Sequence, residues 1–258
     1  MSRIKGKLAL ITGASAGIGE ACAKQLARDG ANLILWARRK KRLTHLASEI
    51  TDESGVTVDI ASIDIRNHEL VFKESDQLRA NGQSPDIVIN NAGMGAGMSL
   101  MQEGEVEDWN RMIDTNVKGL LFVTRAFLPD MVERNHGHLV NIGSIAGRQV
   151  YPRGNVYNAT KYAVQALTEG TNLDVLGTKV RVSSVNPGLV ETEFSLVRFD
   201  GDEARAEAVY EGFDALKGQD VAEVVSFVVN APPRMNVADV LVFATDQRSI
   251  HHVHRSSS

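Results

Sequence analysis

Residues 7–19 read KLALITGASAGIG, an apolar run that leads directly into three glycines. The run over residues 7–12 is typical of a buried parallel strand, and the amphipathic pattern over residues 20–30 predicts a helix after the glycines. A glycine turn between a strand and a helix lets the backbone approach a pyrophosphate, which the free N–H groups of the helix start can bind. A turn needed only for packing is the alternative, but the order of strand, turn and helix favours a phosphate site.

The rest of the chain repeats this alternation of apolar strands and amphipathic helices. Further strands are predicted at residues 32–36, 56–65, 86–93, 138–144, 181–188 and 239–246. Helices are predicted at residues 40–53, 67–80, 106–135, 202–216 and 219–230, with another around Tyr157. Such alternation implies a parallel sheet covered by helices. We therefore predict an α/β protein with a single-domain Rossmann fold, a doubly wound seven-stranded parallel sheet flanked by helices over residues 1–246, and a polar C-terminal tail, residues 247–258.

The composition excludes several classes of protein. The 258 residues carry 28 basic and 32 acidic side chains, and this balance gives no sign of a nucleic-acid or membrane partner. The single cysteine, Cys22, excludes an internal disulfide and fits a reducing compartment, so a cytoplasmic location is expected. Three histidines in the tail, His251, His252 and His254, could bind a metal, but no acidic or cysteine partner is near them in sequence. We therefore predict no metal site.

A basic pair, Arg38 and Arg39, follows the second predicted strand. Units that bind NAD place an acidic residue here for the ribose 2′-OH, whereas a basic side chain suits the 2′-phosphate of NADP. We therefore predict NADP rather than NAD, with Arg38 preferred to Arg39. The alternative is that residues 39–42 are only the solvated start of the next helix, an interpretation that suits Lys41 and Arg42 best.

A second constellation lies within residues 144–161, which read SIAGRQVYPRGNVYNATK. Tyr157 and Lys161 are four residues apart in a helical pattern, so their side chains are expected on the same helix face. Because a nearby ammonium favours the phenolate, we expect Lys161 to lower the pKa of Tyr157 from about 10 and to prepare it for proton transfer. Ser144 ends a predicted strand, where its hydroxyl would face a ligand crevice. The YxxxK spacing occurs often by chance, so on its own it carries little weight.

Together these pieces resemble the short-chain dehydrogenase/reductase family. The shared motifs are TGASAGIG at 12–19, NNAG at 90–93, Asn116, Ser144, YxxxK at 157–161 and PG at 187–188, in the family's order. The resemblance implies an NADP-dependent enzyme that acts on CH–OH groups and forms a homotetramer or a dimer, with Asn116, Ser144, Tyr157 and Lys161 as the catalytic set. It also implies that the cofactor is bound by Thr12, Gly13, Ser15, Gly17, Ile18, Gly19, Arg38, Arg39, Asp64, Ile65, Asn91, Ala92, Gly93, Tyr157, Lys161, Pro187, Gly188, Val190 and Thr192.

Within that family the chain is most similar to the NADP-dependent 3-hydroxy acid dehydrogenases that also oxidise serine. The similar pieces are GSIAG at 143–147, YPRGNVYNATK at 151–161, NPGLVETEFSLVRF at 186–199 and VHR at 253–255. This resemblance implies hydride transfer between NADPH and a short anionic aldehyde or hydroxy acid. Reduction of sulfoacetaldehyde to isethionate is one alternative, and a non-catalytic NADP-binding regulator on the same fold is an alternative of another class.

An arginine can hold a carboxylate or a sulfonate through two parallel hydrogen bonds. Arg198 is the favoured anion ligand, with Tyr151 as a helper, and at least one of the three candidate arginines is expected to form only a surface salt bridge. The candidate substrate-binding residues are Ser144, Arg148, Tyr151, Arg153, Tyr157, Arg198 and Gln247.

Overall fold

The computed structural model describes residues 2–256, and within them the chain forms nine strands and nine α-helices. The strands are β1 (Leu8–Thr12), β2 (Asn32–Ala37), β3 (Val58–Ser62), β4 (Ile87–Asn90), β5 (Gly137–Ile142), β6 (Val180–Pro187), β7 (Val190–Glu191), β8 (Leu216–Lys217) and β9 (Asp239–Val242). The helices are α1 (Gly17–Arg28), α2 (Lys40–Ser54), α3 (His68–Ala80), α4 (Val106–Ile113), α5 (Leu120–Glu133), α6 (Asn155–Asp174), α7 (Phe194–Arg198), α8 (Glu203–Ala208) and α9 (Gly218–Val229).

Seven of the strands form one parallel sheet in the order β3-β2-β1-β4-β5-β6-β9. After β1 the chain adds β2 and then β3 on one side of that strand, and it then crosses to add β4 on the other side. The strand order therefore reverses between β1 and β4, and ligands of open α/β sheets bind at such a switch point, beyond the carboxyl ends of the strands. The predicted doubly wound, seven-stranded parallel sheet in a single domain is confirmed.

Apolar residues cover both faces of this sheet, which is why its strands are almost continuously hydrophobic. Ile11 and Leu35 point to the face that packs against α1, α2 and α9. The alternate residues Leu10 and Trp36 point to the opposite face, where they meet α3 and α5. Since successive strand residues face opposite sides, neither face can be polar. The polar groups of the strands are consequently concentrated where the strands end.

The structure changes two of the helix predictions. The stretch predicted as one helix over 106–135 is interrupted by a π-helical turn at Asp114–Gly119. The predicted helix over 202–216 is wrong beyond Ala208, because Gly212 has a φ of 76° and the chain then forms β8, which pairs with β7. A backbone at positive φ does not continue a right-handed helix, and glycine is the residue that adopts it most readily.

The described part of the C-terminal tail, residues 247–256, packs against the body of the chain. Gln247 is buried and forms an antiparallel bridge with Val253. The backbone N–H of Ser256 donates to the carbonyl oxygen of Gly212 at 2.7 Å. Residues 257 and 258 of the predicted tail lie outside the described residues, and the division of the chain at 246 stays a prediction. Across residues 2–256, no helix is both long enough and apolar enough to cross a bilayer.

A histidine is buried at the amino end of β5. His138 is 1% exposed, and its Nε2 lies 2.8 Å from the hydroxyl of Ser183 on β6. Burial lowers the pKa of His138 well below its ordinary value, and the charge of nearby Arg181 acts in the same direction. The native state therefore holds this imidazole neutral over a pH range in which the unfolded chain would protonate it.

We predict that His138 makes the protein lose stability as the pH falls below about 6.5, the ordinary pKa of histidine. Below that pH the unfolded state binds a proton that the native state excludes, so the free energy of unfolding should fall by up to about 1.4 kcal/mol per pH unit. Urea unfolding at a series of pH values measures this slope. His138→Gln should flatten the slope between pH 6.5 and 5, whereas His45→Gln at an exposed position should not; equal slopes in all three proteins would contradict the prediction.

Candidate active site

A cavity of about 610 Å³ opens at the carboxyl edge of the sheet, across the switch point between β1 and β4. Its walls come from the segments that follow β1, β2, β3, β4, β5 and β6, together with α7 and the tail. The motifs that are far apart in the sequence therefore line a single space. Most of the predicted site residues belong to its walls, namely Gly13, Ser15, Gly17, Ile18, Arg38, Arg39, Asp64, Ile65, Asn91, Ala92, Gly93, Ser144, Tyr151, Tyr157, Lys161, Pro187, Gly188, Val190, Thr192, Arg198 and Gln247.

The glycine turn after β1 is packed so closely that side chains would not fit. Gly13 has a φ of 66°, and a Cβ there would lie 2.8 Å from the Cα of Ala92. A Cβ on Gly19 would lie 2.4 Å from Asn91 Nδ2 and from the carbonyl oxygen of Gly13. The turn therefore lies directly against the end of β4, and the first residues of α1, Gly17 and Ile18, line the cavity. This arrangement is a cradle for a pyrophosphate.

Two of the predicted cofactor residues lie just behind this surface. Thr12 Oγ1 accepts hydrogen bonds from the backbone N–H groups of Asn91 and Ala92, each at 3.1 Å. Gly19 lies in the first turn of α1, where its lack of a side chain lets that helix approach β4. Thr12 and Gly19 therefore shape the turn without lining the cavity.

The basic pair after β2 lies at one end of the cavity. Arg38 is exposed and, within residues 2–256, makes no ion pair. The guanidinium of Arg39 donates to the hydroxyl of Ser15 at 3.0 Å and pairs with Glu193 at 2.8 Å. Two guanidinium groups beside the phosphate cradle create a positive site that suits a ribose 2′-phosphate.

The residues that follow β3 form the neighbouring wall. Ile65 is buried, and the side chain of Asp64 is held by Arg66, whose Nη2 lies 2.6 Å from Asp64 Oδ2. Burial alone would raise the pKa of Asp64, but the hydrogen bonds from Arg66 outweigh it and the pKa is lowered. Asp64 is therefore a fixed, ionised acceptor in this wall of the cavity.

The catalytic candidates occupy the centre of the cavity. Ser144 follows β5, and its Oγ accepts a hydrogen bond from the N–H of Ala146 at 3.1 Å. The ammonium of Lys161 donates to the carbonyl oxygen of Ile142, the last residue of β5, at 2.9 Å. Gly147 makes this contact between β5 and α6 sterically possible, because a Cβ there would lie 2.5 Å from the carbonyl oxygen of Lys161.

Asn116 lies behind the same centre, in the π-helical turn between α4 and α5. Its Oδ1 accepts from the N–H of Met94 at 2.8 Å, and its Nδ2 donates to the carbonyl of Met94 at 2.8 Å and to Thr160 at 3.0 Å. A Cβ on Gly93 would lie 3.3 Å from Asn116 Oδ1 and 3.7 Å from Lys161 Nζ. Only a glycine therefore separates the amide from the amine.

The pKa of Tyr157 differs from the prediction. Burial raises the pKa of Tyr157 to about 12, with Tyr151 acting in the same direction, while Arg198 and Ser144 act against it. Burial also lowers the pKa of Lys161 to about 8. The prediction that Lys161 lowers the pKa of Tyr157 is therefore wrong for this structure, since the desolvation of both groups dominates and the ammonium is directed at Ile142.

Arg198 lies over the ring of Tyr157. Its Cζ is 4.7 Å from the centre of the Tyr157 ring and 5.2 Å from that of Phe194, and its Nη2 donates to the hydroxyl of Tyr151 at 2.6 Å. Its Nε is buried and has no hydrogen-bond partner among residues 2–256. A Cβ on Gly95 would lie only 2.7 Å from that Nε. Arg198 therefore brings a half-buried guanidinium with spare donor capacity next to the phenol.

Of the remaining substrate candidates, Arg148 and Arg153 lie outside the main cavity. Arg148 pairs with Asp239 on β9 and does not line the main cavity. Arg153, with a φ of 64°, borders a separate and much smaller cavity beside Asp108. Gln247 reaches the main cavity, but its Oε1 accepts from the N–H of Leu189 at 2.9 Å and so holds the segment after β6.

Several wall residues are absent from the sequence predictions, and Phe194 and Glu193 are the two that contact predicted site residues most clearly. Phe194 packs against Tyr157 with ring centres 5.4 Å apart, and Glu193 pairs with Arg39. Both belong to the segment ETEF that follows the PG motif, so their position just after a strand end was a usable signal. The sequence does not show that α7 is oriented toward the cavity. Among residues 2–256 no cluster of three or more histidine, cysteine or carboxylate side chains is arranged to hold a metal.

Comparisons with known proteins agree with this geometry. Residues 7–203 match the family model described as short chain dehydrogenase. The chain is 46% identical over 231 residues to the NADP-dependent 3-hydroxy acid dehydrogenase YdfG of Shigella flexneri, covering 89% of this chain and 92% of that protein. It is 41% identical over 241 residues to sulfoacetaldehyde reductase 2 of Chromohalobacter salexigens, covering 93% and 95%.

A solved structure gives the same result. The closed form of serine dehydrogenase complexed with NADP⁺ superposes with a TM-score of 0.89 at 43% identity, covering 96% of this chain and 99% of that one. The family model spans more than half of the chain, and the relatives match it over nearly its whole length. The chain therefore belongs to the short-chain dehydrogenase/reductase family of oxidoreductases.

Proposed function

We propose that this protein is an NADP(H)-dependent oxidoreductase that interconverts a short aldehyde carrying a carboxylate or sulfonate with the corresponding hydroxy acid. The single observation that carries the substrate class is Arg198, a guanidinium 4.7 Å from the Tyr157 ring with a buried, unpartnered Nε. A buried donor without an acceptor is costly, and an anionic ligand would satisfy it.

The cavity walls fit the NADP that we predict. When bound, the cofactor supplies the hydride. The turn at Gly13 and Gly17 would hold the pyrophosphate, and Arg38 with Arg39 would hold the 2′-phosphate. The relative YdfG is named as NADP-dependent, and the serine dehydrogenase structure is a complex with NADP⁺. The remaining contacts are expected from Ser15, Ile18, Asp64 and Ile65 at the adenosine half, and from Asn91, Ala92, Gly93, Pro187, Gly188, Val190 and Thr192 at the nicotinamide half.

The chain's own residues handle the proton. With a pKa raised to about 12, Tyr157 is a protonated phenol at neutral pH, which is the form needed to give a proton to a developing alkoxide. Ser144 would hydrogen-bond the same oxygen. Lys161, whose pKa is lowered to about 8, is close enough to neutrality to exchange protons, and Asn116 would hold a water that connects it to solvent.

The choice between carboxylate and sulfonate rests on the relatives. One relative is named for hydroxy acids and another for sulfoacetaldehyde, and both anions suit an arginine. A 3-hydroxy acid or its aldehyde is our first proposal and sulfoacetaldehyde the second. A non-catalytic NADP-binding regulator is disfavoured, because a protein that only binds the dinucleotide has no use for a buried phenol and a buried amine. The homotetramer and the cytoplasmic location remain predictions.

We predict that Tyr157→Phe abolishes aldehyde-dependent NADPH oxidation, with a loss of kcat of at least about a hundredfold, the scale of one general acid. NADPH binding, measured by fluorescence titration, should change by less than about threefold, since the hydroxyl and not the ring is removed. The parent protein tested with a panel of short aldehydes is the control. Turnover by Tyr157→Phe within tenfold of the parent would contradict the assignment of the proton donor.

We predict that Arg198→Ala raises the KM for anionic aldehydes by about ten- to a hundredfold, because a hydrogen bond to a charged group contributes roughly 1.5–3 kcal/mol. A neutral aldehyde of the same length should change much less. Arg198→Lys should fall between the two, since it keeps the charge but loses the planar pair of donors. Steady-state kinetics with matched anionic and neutral aldehydes tests this, and an equal loss on both would remove the anion-binding role.

A further inference from the structure

Helix α7, which carries Arg198, is too short to be stable without contacts to the rest of the chain. It is five residues long, and only Ser195 among them is buried. A helix of one turn is not stable by itself in water. Its position must therefore be fixed by contacts at its ends and along its side.

Besides the side-chain contacts of Arg198 and Phe194 described above, three contacts fix the two ends and the side of α7. The carbonyl of Arg198 at the carboxyl end accepts from the N–H of Gly97 at 3.0 Å. The hydroxyl of Ser195 lies 2.7 Å from that of Tyr210. The amino end is held by Glu193, which directly precedes α7 and lies about 150 residues away in sequence from its two arginine partners.

Glu193 connects the two walls of the cofactor cleft. Its Oε2 lies 2.8 Å from Arg39 Nη1, and its Oε1 lies 2.6 Å from Arg42 Nη1. Arg39 in turn donates to Ser15 in the glycine turn at 3.0 Å. The contacts therefore run from α7 through one carboxylate to the start of α2 and to the phosphate cradle. Thr192, which precedes Glu193, also lies close to the glycine turn: a Cβ added at Gly17 would be 3.2 Å from the Cβ of Thr192.

We propose that Glu193 is a positioning residue that closes the cofactor cleft: by binding Arg39 and Arg42 it holds α7, and with it Arg198, over the bound NADP. This inference rests on the proposed function in taking the cleft as the NADP site. Arg39 has two roles in this arrangement, because the guanidinium that would bind the 2′-phosphate also pairs with Glu193 and so holds α7. Retention of the cofactor and placement of the anion-binding arginine then depend on the same ion pairs.

Arg42 allows this idea to be tested without touching the site. Its side chain does not line the cavity, so its connection to the cofactor runs through Glu193. Lys41, its neighbour in the first turn of α2, is also exposed and makes no ion pair within residues 2–256, so Lys41→Gln removes the same charge from the same turn without breaking the contact.

The experiment compares Glu193→Gln, Arg42→Gln, their double variant and Lys41→Gln with the parent in two measurements. Hydrogen exchange of residues 194–198 is measured without cofactor, and the NADPH dissociation rate is measured by stopped-flow displacement. We expect both single variants to speed the exchange and to raise the dissociation rate about two- to fivefold, the range of partly exposed ion pairs. The double variant should match Glu193→Gln, because that single change already breaks both ion pairs, and Lys41→Gln should match the parent.

Three results would overturn the proposal. Unchanged exchange in Glu193→Gln would show that the carboxylate does not hold α7. Tighter NADPH binding by Glu193→Gln would show that the carboxylate competes with the 2′-phosphate for Arg39. A Lys41→Gln variant that matches Arg42→Gln would reduce the effect to net charge. A parent protein that does not bind NADPH would instead refute the proposed function, and the exchange measurement would still decide whether Glu193 anchors α7.

Discussion

The interaction on which the site depends is the hydrogen bond from the buried ammonium of Lys161 to the carbonyl of Ile142. Lys161 is only 7% exposed, and burial of a cation is unfavourable unless acceptors surround it. Satisfying this amine brings α6 against the end of β5, and Gly147 leaves the space for that approach. Because Ser144 follows β5 and Tyr157 lies one turn before the lysine, the same contact sets the distance between the serine and tyrosine hydroxyls. The geometry of the candidate catalytic residues is thus a consequence of how one charged side chain is buried.

The same burial shapes the proton chemistry. In a site from which water is excluded, the ionised form of each group is disfavoured, so the phenol holds its proton more tightly and the amine releases its proton more easily. Tyr157 and Lys161 accordingly shift in opposite directions, one to about 12 and the other to about 8. This ordering suits donation from the phenol to a substrate oxygen followed by resupply from the amine. Arg198 adds a second cation, whose Cζ lies 4.7 Å from the centre of the Tyr157 ring.

The sequence was sufficient for the fold because the relevant information is local. Apolar runs that end in glycine or polar residues identify parallel strands, and their alternation with helices fixes the architecture and puts the motifs at one edge of the sheet. Other features depend on partners far away in sequence. Arg148 and Arg198 look alike in the sequence, and only the structure shows that Arg148 pairs with Asp239 on β9 whereas Arg198 lines the main cavity. The sign of the shift at Tyr157 was missed for the same reason, since a spacing of four reveals the neighbouring amine but not the depth of burial.

The most direct test of this account is the pKa of the Lys161 amine in the folded protein without cofactor. Heteronuclear NMR of protein labelled in its lysine side chains can follow each amine through a pH titration, and a Lys161→Met variant identifies the resonance. We predict a midpoint near 8, well below the ordinary lysine value of about 10.4. A midpoint at the ordinary value would mean that the amine is solvated, and it would contradict the burial from which the geometry and the proton transfer are both derived.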